Sequence, residues 1–453
     1  MNLSKISIIL YSETFAKSLF TRFVPLNALT AFTFVINIFS LKIFDFMATL
    51  TLDQTTTSNQ SRTSDGLLAI PLYIYMGVFA SMAVLAGILW DISWHMSIGR
   101  DGLFSPPHDL VYLGATLAGV FSGFQVLKTS FWGTDAEKAK MVNFWGIFYS
   151  SLGGLFCIWG CISALTSAPF DDWWHNTYGL DIKIASPPHT VLGLGLIAIQ
   201  MGSMVAVLSI LNQNEKISHL TNAQNDKRIA RLRWMFMASA AILLAMMHTF
   251  LSEFLGRWNM HAIWFYQVGA FAFPLFLVGA SRASGIKWGA TNIALIMMIS
   301  HWAINAFLRL LPAEPMLGPI MNHITTYQTL GFPILIVFPA MAIDYCRAKF
   351  ADKNDWLLSV LIGVGFLVVF VLVQYPAGTF FQESTLARTW FFGSGSWTYN
   401  SPPDWEYRYK FAPWSTSTVP MEWVTGLGIA LVLSIFSTRI SLFWGNWMKK
   451  VQR

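Results

Sequence analysis

Long apolar runs separated by short polar loops are the dominant pattern of the chain. A helix needs roughly 20 apolar residues to cross a hydrocarbon core about 30 Å thick. From Leu67 onward ten segments meet that length: 68–92, 108–127, 142–165, 189–211, 233–255, 260–280, 288–310, 319–345, 356–374 and 421–443. Open strands would leave backbone amides and carbonyls unpaired in lipid. The pattern therefore predicts an all-α fold, a polytopic membrane helical bundle of about ten transmembrane helices. Residues 67–374 form the helical membrane domain, 375–420 an aromatic loop, and 421–453 the last span with its tail.

Composition excludes a set of soluble domains. Only 11% of residues are charged and 55% are hydrophobic, whereas about 25% are charged in ordinary soluble proteins. The net charge of +6 comes from cations dispersed among loops. Nucleic acid would require them clustered on one face, so no nucleic-acid partner is expected. Seventeen Lys and Arg follow the even spans and the last one, against seven after the odd spans. Cytoplasmic loops are enriched in these residues, so the loops after odd spans are expected outside and the C-terminus in the cytoplasm of a bacterial inner (plasma) membrane.

Within residues 1–66, Asn27 to Phe46 has the length of another span, but that span would place Lys5, Lys17 and Arg22 outside. Residues 1–46 are therefore expected to be an extension preceding a natural start at Met47, followed by a polar stretch from Thr51 to Ser64. Cys157, Cys161 and Cys346 include no CxxC pair and predict no disulfide framework. Cys157 and Cys161 are assigned to helix packing.

An internal repeat carries the candidate chemistry. The first copy runs from Asp91 through Trp94, His95, Gly99, Asp101 and Ser105-Pro106-Pro107 to His108, and the second from Asp171 through Trp174, His175, Gly179, Asp181 and Ser186-Pro187-Pro188 to His189. The same types recur in the same order, with one residue inserted in the second copy. Asp and His at i and i+4 share one helical face. Serine suits an N-cap and proline the first turn, which brings the second histidine to the start of the returning helix. The glycine supplies a bend, and Asp101 or Asp181 can cap the loop or orient an imidazole.

Two imidazoles and a carboxylate where two helices meet are ligand types of copper, non-haem iron and zinc. The predicted metal ligands are Asp91, His95, His108, Asp171, His175 and His189. Taken singly, each histidine has a plainer reading as a hydrogen-bond partner of a loop carbonyl; the repetition of the whole set favours metal. His248, Glu253, His261, His301 and His323 are additional candidates. Pairing His95 with His108, His175 with His189, His248 with His261 and His301 with His323 predicts four hairpins around one polar site. His301, Asn305 and Arg309 form a stripe expected to face the bundle, either as an interhelical hydrogen-bond network or as part of a site. The loop after residue 375 carries Trp390, Trp397, Trp405 and Trp414, as a lid or as an interfacial aromatic belt.

The spacing of Asp91, His95 and His108, D-x3-H-x12-H, is similar to the copper motif of the C subunit of particulate methane and ammonia monooxygenases. The second copy departs from it by one residue. The repeat also looks like the WWH…PPH pattern of a family of uncharacterised bacterial polytopic membrane proteins. The first resemblance implies a copper-dependent membrane oxidoreductase of monooxygenase type, with electrons from quinol or a redox protein and with other membrane subunits as partners. Metal transport or delivery, and haem ligation by paired histidines, remain the other readings of the same residues. No nucleotide-binding glycine loop or CxxCH haem attachment site is present.

Overall fold

A computed structural model describes residues 69–453 apart from 100, 180–185, 219, 403 and 405–414. The N-terminal extension, His219, Asp181, Trp405 and Trp414 lie outside the described residues.

The chain is all-α, apart from one small hairpin among the described residues. The helices are α1 (Leu72–Ser97), α2 (Pro106–Trp132), α3 (Asp135–Ala139), α4 (Leu152–Tyr178), α5 (Pro187–Gln213), α6 (Asn222–Phe250), α7 (Ser252–Leu255), α8 (Ile263–Ser284), α9 (Gly289–Leu308), α10 (Val337–Lys349), α11 (Asp355–Glu383) and α12 (Pro420–Met448). Among the described residues nine are long and apolar enough to cross a membrane: all but α3, α7 and α10. Exposed apolar residues such as Leu113, Val120, Phe124 and Leu127 on α2, and Ile429, Val432 and Phe436 on α12, make the outer surfaces of these helices suited to lipid.

Two predicted spans are corrected. Residues 142–165 were expected to be one helix. Instead strands β1 (Val142–Phe144) and β2 (Phe148–Ser150) pair antiparallel before α4 begins. Trp145 and Gly146, at φ 54° and 73°, make the tight reversal that joins strands with this twist. The predicted span 319–345 contains Pro319, Pro333 and Pro339, and only its second half is helical, as the 13-residue α10. Pro339 is tolerated because it stands in the first turn, whereas Pro333 has no amide to donate. The irregular chain before α10 is sustained by side chains from other helices. Ser97 accepts the Gln328 amide at 2.7 Å, and Gln374 accepts the Leu335 amide at 2.8 Å. Non-helical backbone at membrane depth needs such partners. The long loop also starts later than expected, because α11 continues through Pro376 to Glu383.

Close packing joins the two repeat hairpins. On α4, a Cβ at Gly153 would lie 2.3 Å from the Gly202 carbonyl, and one at Gly160 would lie 2.6 Å from that of Gly195. Backbone therefore meets backbone along α4 and α5, as small residues allow between membrane helices. Gly87 and Gly114 have the same role between α1 and α2. Helices α2 and α4 also pack together, placing the two hairpins side by side. Cys157 belongs to this packing, with its Sγ 3.7 Å from the Ile199 carbonyl.

Candidate metal centre

Each repeat folds as its types require. Asp91 and His95 occupy the last two turns of α1, and Asp171 and His175 the corresponding part of α4. Gly99 and Gly179 follow at φ 99° and 89°, a left-handed conformation that only glycine adopts without strain. Ser105 and Ser186 stand at the N-caps of α2 and α5 with the prolines in the first turn. Only Ser186 makes the side-chain bond, accepting the His189 amide at 3.4 Å.

In the first copy the His108 Nε2 lies 3.3 Å from Asp91 Oδ1 and 2.9 Å from Asp101 Oδ2. His95 Nε2 faces the same oxygens at 3.9 and 3.6 Å. Ligand atoms of Asp91, His95 and Asp101 all lie within 4.8 Å of one another. Asp101, expected to cap the loop or orient an imidazole, thus stands among the candidate ligands. His108 Nδ1 is 3.0 Å from the Gly102 carbonyl. Donation from Nδ1 fixes the ring and leaves Nε2 directed at the carboxylates, a support that metal-bound imidazoles commonly have. Burial opposes the ionised form of Asp101, yet hydrogen bonding from His108 and the charge of His95 outweigh it and hold this carboxyl below its usual range.

The second copy repeats the arrangement. His175 Nε2 and His189 Nε2 each lie 3.4 Å from a different oxygen of Asp171, and His175 Nδ1 is 3.2 Å from the Gly179 carbonyl. Their ligand atoms also lie within 4.8 Å of one another. One atom recurs in both copies: Asp91 Oδ1 and Asp171 Oδ1 are buried, and each has an imidazole Nε2 as its near neighbour, that of His108 at 3.3 Å and that of His189 at 3.4 Å. A buried carboxylate oxygen that faces imidazole nitrogens can share a proton with them or hold a cation between them. The donor set present therefore fits a transition metal. Tyr112 lies within electrostatic reach of Asp91 and Asp101 of one copy and Asp171 of the other. Among the described residues no imidazole–carboxylate contact links the copies.

The copies differ in cover. A Cβ at Gly99 would lie 2.8 Å from both the Leu317 side chain and the Tyr399 hydroxyl, whereas one at Gly179 would meet nothing among the described residues. The Tyr399 amide donates to the carbonyl of Met96, next to His95, at 3.1 Å, and Trp397 and Tyr399 are buried. This part of the aromatic loop is seated on the bundle, while Trp390 remains half exposed.

The remaining candidates do not join one central site. His261 is hydrogen-bonded at both ring nitrogens, Nδ1 to Gln382 Oε1 at 3.1 Å and Nε2 to Thr379 Oγ1 at 3.0 Å. His323 is exposed on the irregular chain between α9 and α10, and Glu253 is exposed on α7. His248 meets His301 rather than His261, with ring centroids 5.2 Å apart and planes at 79°. His301, Asn305 and Arg309 do face the bundle, all buried. Yet the 2.8 Å bond from Asn305 to the His301 carbonyl stays within α9, and both His248 nitrogens, His301 Nε2 and Asn305 Oδ1 have no hydrogen-bond partner. The expected ring of four hairpins is replaced by separate groupings, because helix packing pairs residues that sequence adjacency does not.

No family model, curated protein or solved structure matches this chain. The fold and these residues define the class, a multi-pass helical protein of membrane type with paired Asp/His groupings at one end of the bundle.

Proposed function

We propose that each Asp-His-His copy holds one transition-metal ion, and that the chain is an integral membrane metalloprotein of the copper-dependent oxidoreductase kind. The observation that carries this reading is the recurrence in both copies of a buried carboxylate oxygen, Asp91 Oδ1 and Asp171 Oδ1, facing imidazole nitrogens within a group of potential ligand atoms. Two imidazoles with one or two carboxylates suit copper, iron or zinc, and the resemblance of the 91–108 spacing favours copper.

Asp91, His95 and His108, joined by Asp101, are the ligands of one site, and Asp171, His175 and His189 those of the other. Gly102 and Gly179 orient His108 and His175 through their carbonyls. His95, with half its side chain exposed (52%), leaves its site open to a small substrate. Copper there would supply one-electron chemistry with dioxygen, with electrons from quinol or a redox protein and with the site facing outward. Imidazole nitrogens must be free of protons to bind metal, so protons compete with the metal and occupancy falls as the pH is lowered.

The test is metal analysis of protein purified without chelators, with an optical spectrum to report haem. Asp91→Asn and Asp171→Asn should each remove the metal of one copy and the double variant that of both. Wild-type metal content in the folded double variant would overturn the reading, and a Soret band would replace it with haem.

A further inference from the structure

Two arginines lie together beneath the segment that follows α11, and the metal reading makes no use of them. Arg309 caps the C-terminal end of α9 and is buried; Arg257 stands between α7 and α8, partly buried. Arg257 lies against both Gly331 and Gly393, and Arg309 against Gly393. A Cβ at Gly393 would collide with the Arg309 guanidinium, and one at Gly331 would lie 3.2 Å from Arg257 Nη1. Arg257 Nη1 donates to the Gly393 carbonyl at 3.2 Å. The Arg257 guanidinium lies 4.4 Å from the Trp258 ring and that of Arg309 5.3 Å from Trp390.

What is missing is an acid. Among the described residues no carboxylate lies within ion-pair distance of either guanidinium, whereas Arg282 and Arg347 each have one. Burial, and then the charge of Arg309, push Arg257 down to about 10, which leaves it charged at neutral pH. Nε and Nη2 of Arg309 are buried without an acceptor, and its contact with Thr329 Oγ1 is long at 3.5 Å. The helix C-terminus and the tryptophan faces offset part of one charge. They do not supply the in-plane acceptors that a guanidinium fork requires, and an unpaired buried charge beside a like charge is strongly unfavourable.

We propose that Arg257 and Arg309 form a binding site for an oxyanion, a carboxylate or phosphate group, seated against Gly331 and Gly393 and flanked by Trp258 and Trp390. The glycines matter because a side chain at either would press into the guanidiniums, so they keep the fork clear and let backbone approach the ligand. The anion arrives either as a free small molecule or as the headgroup of an anionic lipid, and the two sources share this recognition.

The experiment uses the full chain in phosphatidylcholine nanodiscs with chelator present, so that its outcome is independent of the metal sites. Inorganic phosphate and acetate are titrated at constant ionic strength, and retention of phosphatidylglycerol is read separately by native mass spectrometry. A free-anion site binds phosphate or acetate, with affinity falling about tenfold or more in Arg309→Gln and Arg257→Gln, and less in Arg309→Lys. A lipid site retains phosphatidylglycerol in wild type and loses it in both Gln variants, without binding the free anions. Should Arg309→Gln fail to fold, the more exposed Arg257→Gln carries the comparison. No binding of any of the three probes by wild type, or equal binding by folded Gln variants, overturns the proposal.

Discussion

His175 and His261 show that a histidine's role depends on what faces its second nitrogen. In His175 one nitrogen meets a loop carbonyl and the other a carboxylate whose second oxygen faces a further imidazole, that of His189. In His261 both nitrogens are matched by neutral side chains, the Gln382 amide oxygen and the Thr379 hydroxyl. His261→Ala should therefore leave metal content unchanged while destabilising the protein by roughly 1–3 kcal/mol, the usual consequence of stranding a buried polar partner. Thermal unfolding in detergent and metal analysis of the same sample check both halves. The repeat was legible because its spacing is local, and i,i+4 geometry puts Asp and His on one face before any tertiary contact forms. His261's partners, 118 and 121 positions away, were not legible. Asp101 was visible as a recurring residue, but only the loop's path turns it toward His95 and His108. Arg257 gave no pattern at all, since it stands alone between two helices.

At the scale of elements, the seven-residue spacing of Gly153 with Gly160 and of Gly195 with Gly202 lets α4 and α5 touch backbone to backbone. Gly195→Leu would force a side chain where a Cβ already lies 2.8 Å from the Ala164 amide. The expected cost is roughly 1–3 kcal/mol, as for overpacked cores, and it should appear as a lower unfolding temperature. Because α4 and α5 also deliver Asp171, His175 and His189, metal should be lost from the second copy and kept in the first. Equal loss from both copies would mean that the hairpins do not act as separate units. The two misread spans have one cause: hydropathy averaged over a window cannot see a turn at Trp145-Gly146 or a proline at 333. Both interrupt a helix without making the segment polar.

At the scale of the whole molecule, the nine long helices among the described residues and the α10 half-span follow one another in alternating direction. The motif loops after α1 and α4 therefore share one end, and the loops after α2 and α5 the other. The excess of Lys and Arg at that second end predicts that it lies in the cytoplasm. Single cysteines introduced at exposed Tyr178 and Lys450 in a cysteine-free background should react with a membrane-impermeant thiol reagent from opposite sides, Tyr178 from outside intact cells and Lys450 only after permeabilisation. The reverse pattern would place the metal sites on the cytoplasmic face.

The sequence by itself determined the membrane class, nearly all of the helices and the pairing of Asp with His at i and i+4 in both copies of the repeat. Each of these follows from apolar length, helical period or a local repeat, and such features act between near neighbours in the chain. Tertiary structure alone decided that His248 meets His301, that His261 is bonded to α11, that Asp101 joins a candidate ligand group, and that Arg257 and Arg309 lie together with no acid beside them among the described residues. Those outcomes depend on which helices pack side by side and where irregular chain crosses between them, and contacts across such distances leave no periodic trace in the order of residues.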